Sequence, residues 1–162
     1  MDQKTILLRQ MAANHNEPNW FVPVERALDG LTSEQANEKN GISNSIWEIV
    51  NHLIFWNERY LSRFKGNPTS KKIESNDETF HSENNQDWEE MKTQLYRILK
   101  EWANAVKDAE DDDVFERSAH EDRHDPWYSV LANINIHNAY HIGQIVEIRK
   151  TNGNWDPKKG VH

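Results

Sequence analysis

Three histidines stand out by type and spacing: His52, and the pair His137 and His141, four residues apart. Neutral imidazole is a lone-pair donor suited to zinc, nickel, iron or copper, and a divalent ion takes such donors at about 2.0–2.1 Å. Two ligands one helical turn apart clamp an ion, and a third closes the set. Three neutral ligands leave the double charge of the ion uncompensated, which makes it a strong Lewis acid towards water or a thiol. The chain has no cysteine, so it offers no thiolate ligand and no sulfur nucleophile, and any thiol in its chemistry must be diffusible. H-x-x-x-H is a short pattern, and buried histidines also serve ordinary hydrogen bonds. The elements that carry the three rings therefore decide what they can do.

Four long segments have helical periodicity, and nothing reads as an alternating strand. The first runs from about Thr5 to His15 and is ended by Asn16-Glu17-Pro18; a shorter piece follows through Val24-Glu25-Arg26-Ala27-Leu28 to Gly30 and leads towards the second. The second helix starts at Ser45, with Glu48 three residues on completing a capping box, and stops near Gly66 and Pro68. After a polar stretch from Asn67 to Gln86, the third begins around Asp87 and buries Trp88, Met91, Leu95, Ile98, Leu99, Trp102 and Val106. The acidic run from Asp108 to Asp113 opens a solvated loop lasting to Asp125. Asp125-Pro126 reads as an N-cap with proline at the first position of the fourth helix, which reaches Asn152 with Gly153 beyond its end.

At 100° per residue, Trp127, Val130, Leu131, Ile134, Ile142, Ile145 and Ile148 share one side of the fourth helix, with His137 and His141 at the margin of that stripe. On the second helix Ile46, Ile49, Leu53, Trp56, Tyr60 and Phe64 form the stripe, and His52 sits at its margin. Two helices thus carry histidines towards a shared interior. Arg59, two turns from His52 at nearly the same angle, could hold a carboxylate of a substrate or thiol cofactor, or make an ordinary ion pair. Tyr140 and Gln144 flank the histidine pair and could orient bound groups, or serve interhelical hydrogen bonds. Trp56 and Trp127 are expected in the core. Surface positions are expected for His15, His81, His120, His124 and His162, with His120 and His124 close enough in sequence to reach the mouth of a site from their loop.

At 162 residues the chain suits one domain, residues 1–162, with a single core. Seven tryptophans, five phenylalanines and four tyrosines supply much of the apolar area that a hydrophobic fraction of only 36% would otherwise leave short. Acidic residues outnumber basic ones 27 to 19, for a formal charge of −8, and no dense basic run occurs. Nucleic-acid binding is disfavoured. With no signal-peptide pattern and no membrane-length apolar stretch, a cytoplasmic protein without membrane partners is expected.

The run Ser45-Ile46-Trp47-Glu48-Ile49-Val50-Asn51-His52-Leu53, followed by His137-Asn138-Ala139-Tyr140-His141-Ile142-Gly143-Gln144-Ile145 and Asn152-Gly153-Asn154-Trp155, resembles the DinB family of DinB/YfiT-like metalloenzymes. The resemblance covers nearly the whole chain, and H-x-x-x-H-I-G-Q is its most specific part. It implies an all-α four-helix bundle with up-down-down-up connectivity. It also implies one divalent ion per chain on His52, His137 and His141, with zinc or nickel ahead of iron or manganese, and frequently a homodimer. Some similar proteins transfer low-molecular-weight thiols such as bacillithiol or mycothiol onto electrophiles, or use such a thiol in isomerisation. The expectation is a metal-dependent transferase or hydrolase acting on a small molecule. Its alternative is a non-catalytic metal-binding module for stress response or interaction.

Overall fold

The computed structural model describes residues 2–70, 72–81, 87–109 and 112–160. Among these the chain is all helical: α1 (Gln3–His15), α2 (Val24–Leu28), α3 (Ser33–Asn37), α4 (Ile46–Phe64), α5 (Trp88–Asp108) and α6 (Trp127–Thr151). Short 3-10 turns cover Asn76–Phe80, Asp112–Phe115 and Pro157–Lys159. No strand forms among the described residues beyond an isolated antiparallel bridge between Ser118 and Pro126. No helix among them is long and apolar enough to cross a membrane.

Local chemistry sets most helix starts. The Asp2 carboxylate accepts from the Thr5 backbone N–H at 2.7 Å and opens α1. Ser45 and Glu48 close a reciprocal box at the start of α4, the hydroxyl accepting from the Glu48 N–H and the carboxylate from the Ser45 N–H. Asp87 and Glu90 do the same for α5. Each box satisfies two backbone donors that the helix itself leaves orphaned. A third box, Thr32 with Gln35, nucleates α3, a further helix between the piece at Val24–Leu28 and α4 that the periodicity does not predict.

The start of α6 departs from expectation. Pro126, not Asp125, holds the N-cap position, and no side chain caps the helix. The Asp125 carboxylate turns instead towards Arg123 and His120. Backbone pairing across the loop explains the change: Ala119 N–H donates to Asp125 O at 2.8 Å and Trp127 N–H to Arg117 O at 3.0 Å, so the chain enters α6 already satisfied by its neighbour. In the acidic run, Asp108 still belongs to α5, while Glu110 and Asp111 lie outside the described residues.

Of the four long helices, α1 packs on α5 and α6, and α4 packs on the same two. Their apolar faces meet in one cluster that includes Leu53, Met91, Leu95, Ile98, Trp102, Leu131 and Ile145. Buried indoles keep their N–H groups satisfied: Trp102 donates to Asn57 O at 3.1 Å and Trp88 to Leu31 O at 2.7 Å. Between α4 and α6 the core is polar. The Asn57 and Asn138 side-chain amides exchange hydrogen bonds of 2.8 and 3.0 Å in full burial. Such a pair has a directional optimum that apolar contact lacks, and it fixes the register of the two helices that carry the three histidines.

Candidate metal centre

His52 projects from α4, and His137 and His141 from α6. His52 is 2% exposed and His141 7%. The Nε2 atoms of His52 and His137 are 3.0 Å apart, and those of His141 and His137 3.1 Å. Ligands at about 2.0–2.1 Å from one ion are separated by about 2.9 Å at a right angle and about 3.3 Å at the tetrahedral angle. The observed spacing lies between these values.

The outer nitrogens determine what the inner ones can offer. Thr79 Oγ1 donates its one proton to Asn76 O at 2.6 Å, so it accepts from His52 Nδ1–H, also at 2.6 Å. Gln144 Oε1, a carbonyl oxygen, accepts from His141 Nδ1–H at 2.6 Å. This network assigns the tautomer of both rings and leaves a lone pair on each Nε2. His137 Nε2 lies between them, and one proton there could satisfy only one of its two neighbours. The cluster thus holds more lone pairs than it has protons to bridge them, which a cation corrects. The residues fit a divalent ion by number, atom type and spacing.

Electrostatics keeps the rings neutral. Burial, reinforced by His141 and His137, takes the pKa of His52 from 6.5 down to about 3. Burial and the neighbouring His141 take His137 down to about 4, and burial lowers His141 as well. Between those values and 6.5 the unfolded chain binds protons that the folded chain refuses. For a depressed histidine, stability is therefore lost as pH falls below about 6.5. Thermal denaturation of metal-free protein should show a melting temperature that declines from pH 7 to pH 5, and a flat profile there would contradict the burial of these rings.

Thr79 and the segment that carries it lie within the stretch that the sequence presents as merely polar. A signal was available in Ser75-x-x-Glu78: Glu78 Oε1 accepts from the Ser75 N–H at 3.2 Å and shapes the 3-10 turn that delivers Thr79 and Phe80. Phe80 stacks on His52 with ring centroids 4.1 Å apart and planes 9° from parallel. Thr79→Val keeps the shape but removes the acceptor for His52 Nδ1–H. Its expected effect is a loss of about 10- to 100-fold in metal affinity with the fold retained, measured by competition against a chromophoric chelator and by circular dichroism.

The three rings open onto a cavity of about 590 Å³, a size suited to a small molecule. Trp56, Tyr60 and Phe80 form an aromatic wall, and Arg123, Asp125 and Asn133 supply polar groups. Trp56 is a wall residue with its indole N–H donated to Asn76 Oδ1 at 3.2 Å, not the core residue that its place in the apolar stripe predicts. Trp127 is buried as expected. Tyr140 lines the cavity and its hydroxyl accepts from Gln144 Nε2 at 3.1 Å, so both residues join the chain of contacts behind His141. Arg59 is not among the lining residues; its guanidinium lies 5.8 Å from the Phe55 ring centre.

The remaining histidines divide. His81 and His124 are exposed, and His162 lies outside the described residues. His15 is a correction, its side chain only 12% exposed and 3.0 Å from the Glu25 carboxylate. His120 is another: its side chain is 14% exposed and wedged between Arg63 and Arg123. An isolated histidine in a polar loop gives no sign of the arginine that travels to it from another helix.

Among the described residues, the one cluster of at least three candidate ligand side chains is His52, His137 and His141. No curated protein and no solved structure matches the chain. A family model described as the DinB superfamily matches residues 24–145, about three quarters of the sequence, and that span contains all three histidines. The chain belongs to the DinB superfamily.

Proposed function

We propose that this protein is a metal-dependent enzyme that activates water or a low-molecular-weight thiol for attack on a small electrophile. The observation that carries the reading is the convergence of three Nε2 atoms at 3.0 and 3.1 Å beside an open cavity, with two of the outer nitrogens already committed to acceptors. Zinc or nickel suits three imidazoles best, with iron or manganese as alternatives. When bound, the ion would supply Lewis acidity, lowering the pKa of a water or thiol so that its anion is populated near neutrality.

The chain's own residues do the rest. His52, His137 and His141 present lone pairs without first losing protons, because burial keeps them neutral at pH 7. Thr79 and Gln144 fix ring orientation. Trp56, Tyr60 and Phe80 border the cavity with apolar surface, which favours the carbon skeleton of a substrate and displaces water from it. Because the sequence has no cysteine, the thiol version of the reaction uses a diffusible thiol, and the hydrolytic version needs water alone.

The same reading includes one domain over residues 1–162, an up-down-down-up four-helix bundle, a cytoplasmic location and a homodimer. Family membership supports the bundle, as does the packing of α1 and α4 each against α5 and α6. Light scattering at twice the 19.1 kDa chain mass would support the dimer, and a monomer would remove it.

The experiment for the enzyme is elemental analysis of purified protein, followed by incubation of zinc- and nickel-loaded samples with small thiols and a bimane electrophile, and separately with an ester panel. Metal-dependent turnover in either series supports the proposal. Stoichiometric metal with no turnover in both would identify a non-catalytic metal-binding module instead.

A further inference from the structure

The loop between the Asp112–Phe115 turn and α6 is tied closely to itself. Ser118 Oγ donates to Arg123 O at 2.6 Å and accepts from the Asp125 N–H at 3.1 Å, alongside the backbone pairing of Ala119 with Asp125 and of Arg117 with Trp127. Arg123 therefore stands on a fixed backbone. Among the described residues that line the metal-centre cavity, it is the one lysine or arginine.

Its guanidinium is lightly committed. Nη2 is 3.3 Å from Asp125 Oδ2 and 3.0 Å from His120 Nε2. By proton accounting the second contact brings two donors together and is not a hydrogen bond. Arg63 Nη1, a donor, sits 2.6 Å from His120 Nδ1 and takes the only lone pair that a neutral imidazole has. His120 Nε2 then carries the hydrogen and faces the Asp125 side, 3.7 Å from Oδ2. Arg123 is left with one long hydrogen bond through one nitrogen, and its side chain is 60% exposed. Both contacts run through Nη2, which carries two hydrogens; with one given to Asp125, the other lies parallel to an N–H of Nη1 or Nε and completes a two-donor edge for a ligand.

We propose that Arg123 is the carboxylate anchor of this site. It would bind small molecules that carry a carboxylate at one end, an apolar or aromatic body along Trp56, Tyr60 and Phe80, and the reacting group at the histidines. A guanidinium edge offers two parallel N–H donors that match a carboxylate. Asp125 holds the arginine at the rim in the absence of ligand and competes with an incoming carboxylate. The inference rests on the metal-centre reading, because it takes the histidines as the reacting end.

Two probes separate the parts: benzyl mercaptan and its para-carboxylate, titrated calorimetrically into zinc-loaded protein with zinc content checked for each variant. The carboxylated thiol is expected to bind about tenfold tighter or more. In Arg123→Gln that ratio should collapse towards one, in Arg123→Lys it should be partly kept, and in Asp125→Asn it should rise, because a competing carboxylate has gone. A ratio unchanged in Arg123→Gln overturns the anchor while leaving the metal centre standing. Benzyl mercaptan that binds no better with zinc than without it defeats the metal-centre reading, and the anchor with it.

Discussion

His137→Ala is expected to abolish stoichiometric uptake of a divalent ion while leaving the far-ultraviolet circular dichroism almost unchanged. His137 Nε2 lies within 3.1 Å of both other Nε2 atoms, so its loss removes the middle ligand and leaves two rings with no common neighbour. His52→Ala and His141→Ala should have the same outcome, because a site reduced to two imidazoles loses the chelate advantage that makes binding stoichiometric. The three sites are not equivalent for the fold. His52 has Thr79 at its ring edge and Phe80 stacked on its face, so its truncation also leaves a void and should lower the melting temperature further than His137→Ala does. Metal analysis after gel filtration, with a denaturation curve for each variant, reads both effects. Any one variant that keeps full affinity is not missing a ligand.

The largest loss of stability is expected from Arg149→Met. Arg149 is 3% exposed on the inner side of α6. Its guanidinium donates to Ala27 O at 2.7 Å, Asp29 O at 3.0 Å, Asn154 O at 2.9 Å and Asn154 Oδ1 at 3.2 Å, and lies 5.4 Å from the Trp155 ring centre. Burial lowers its pKa from the ordinary arginine value, outweighing the Asp29 charge that raises it. Methionine replaces the apolar stem but removes four hydrogen bonds at once, one to the buried Ala27 carbonyl and three to part-buried oxygens. A cost of about 3 kcal/mol or more follows from about 1–3 kcal/mol for each unsatisfied group, visible as a fall in the urea midpoint. A change below about 1 kcal/mol would mean that water reaches these carbonyls and that the end of α2 is not clamped as described. The same contacts give a physical role to Asn152-Gly153-Asn154-Trp155: Gly153 at φ 70° turns the chain so that Asn154 and Trp155 fold back over Arg149.

Helix positions were legible because their causes are local. The capping box at Ser45-Glu48, the start around Asp87 and the apolar stripe of α5 can be read along the chain, and the structure places α4 and α5 there. The convergence of His52 with His137 and His141 was legible for a related reason, since each ring lies beside an apolar stripe and two such stripes must meet. What periodicity could not give was the polar part of the interior. Asn57, Asn135, Asn138 and Arg149 are all buried, and a hydropathy wheel assigns such residues to solvent because it cannot see the partner that satisfies them. Arg63 and Thr79 were missed for the same reason. Each matters through a hydrogen bond to a residue 57 or 27 positions away, and pairings between separate elements leave no mark on the sequence around either partner.

The two halves of the histidine cluster are 85 residues apart in the chain. Bringing them together closes a long loop, so the cluster should assemble after the rate-limiting barrier to folding rather than before it. An ion captured there would then act as a latch on the finished protein: in chevron plots it should slow the unfolding limb and leave the refolding limb nearly where it was.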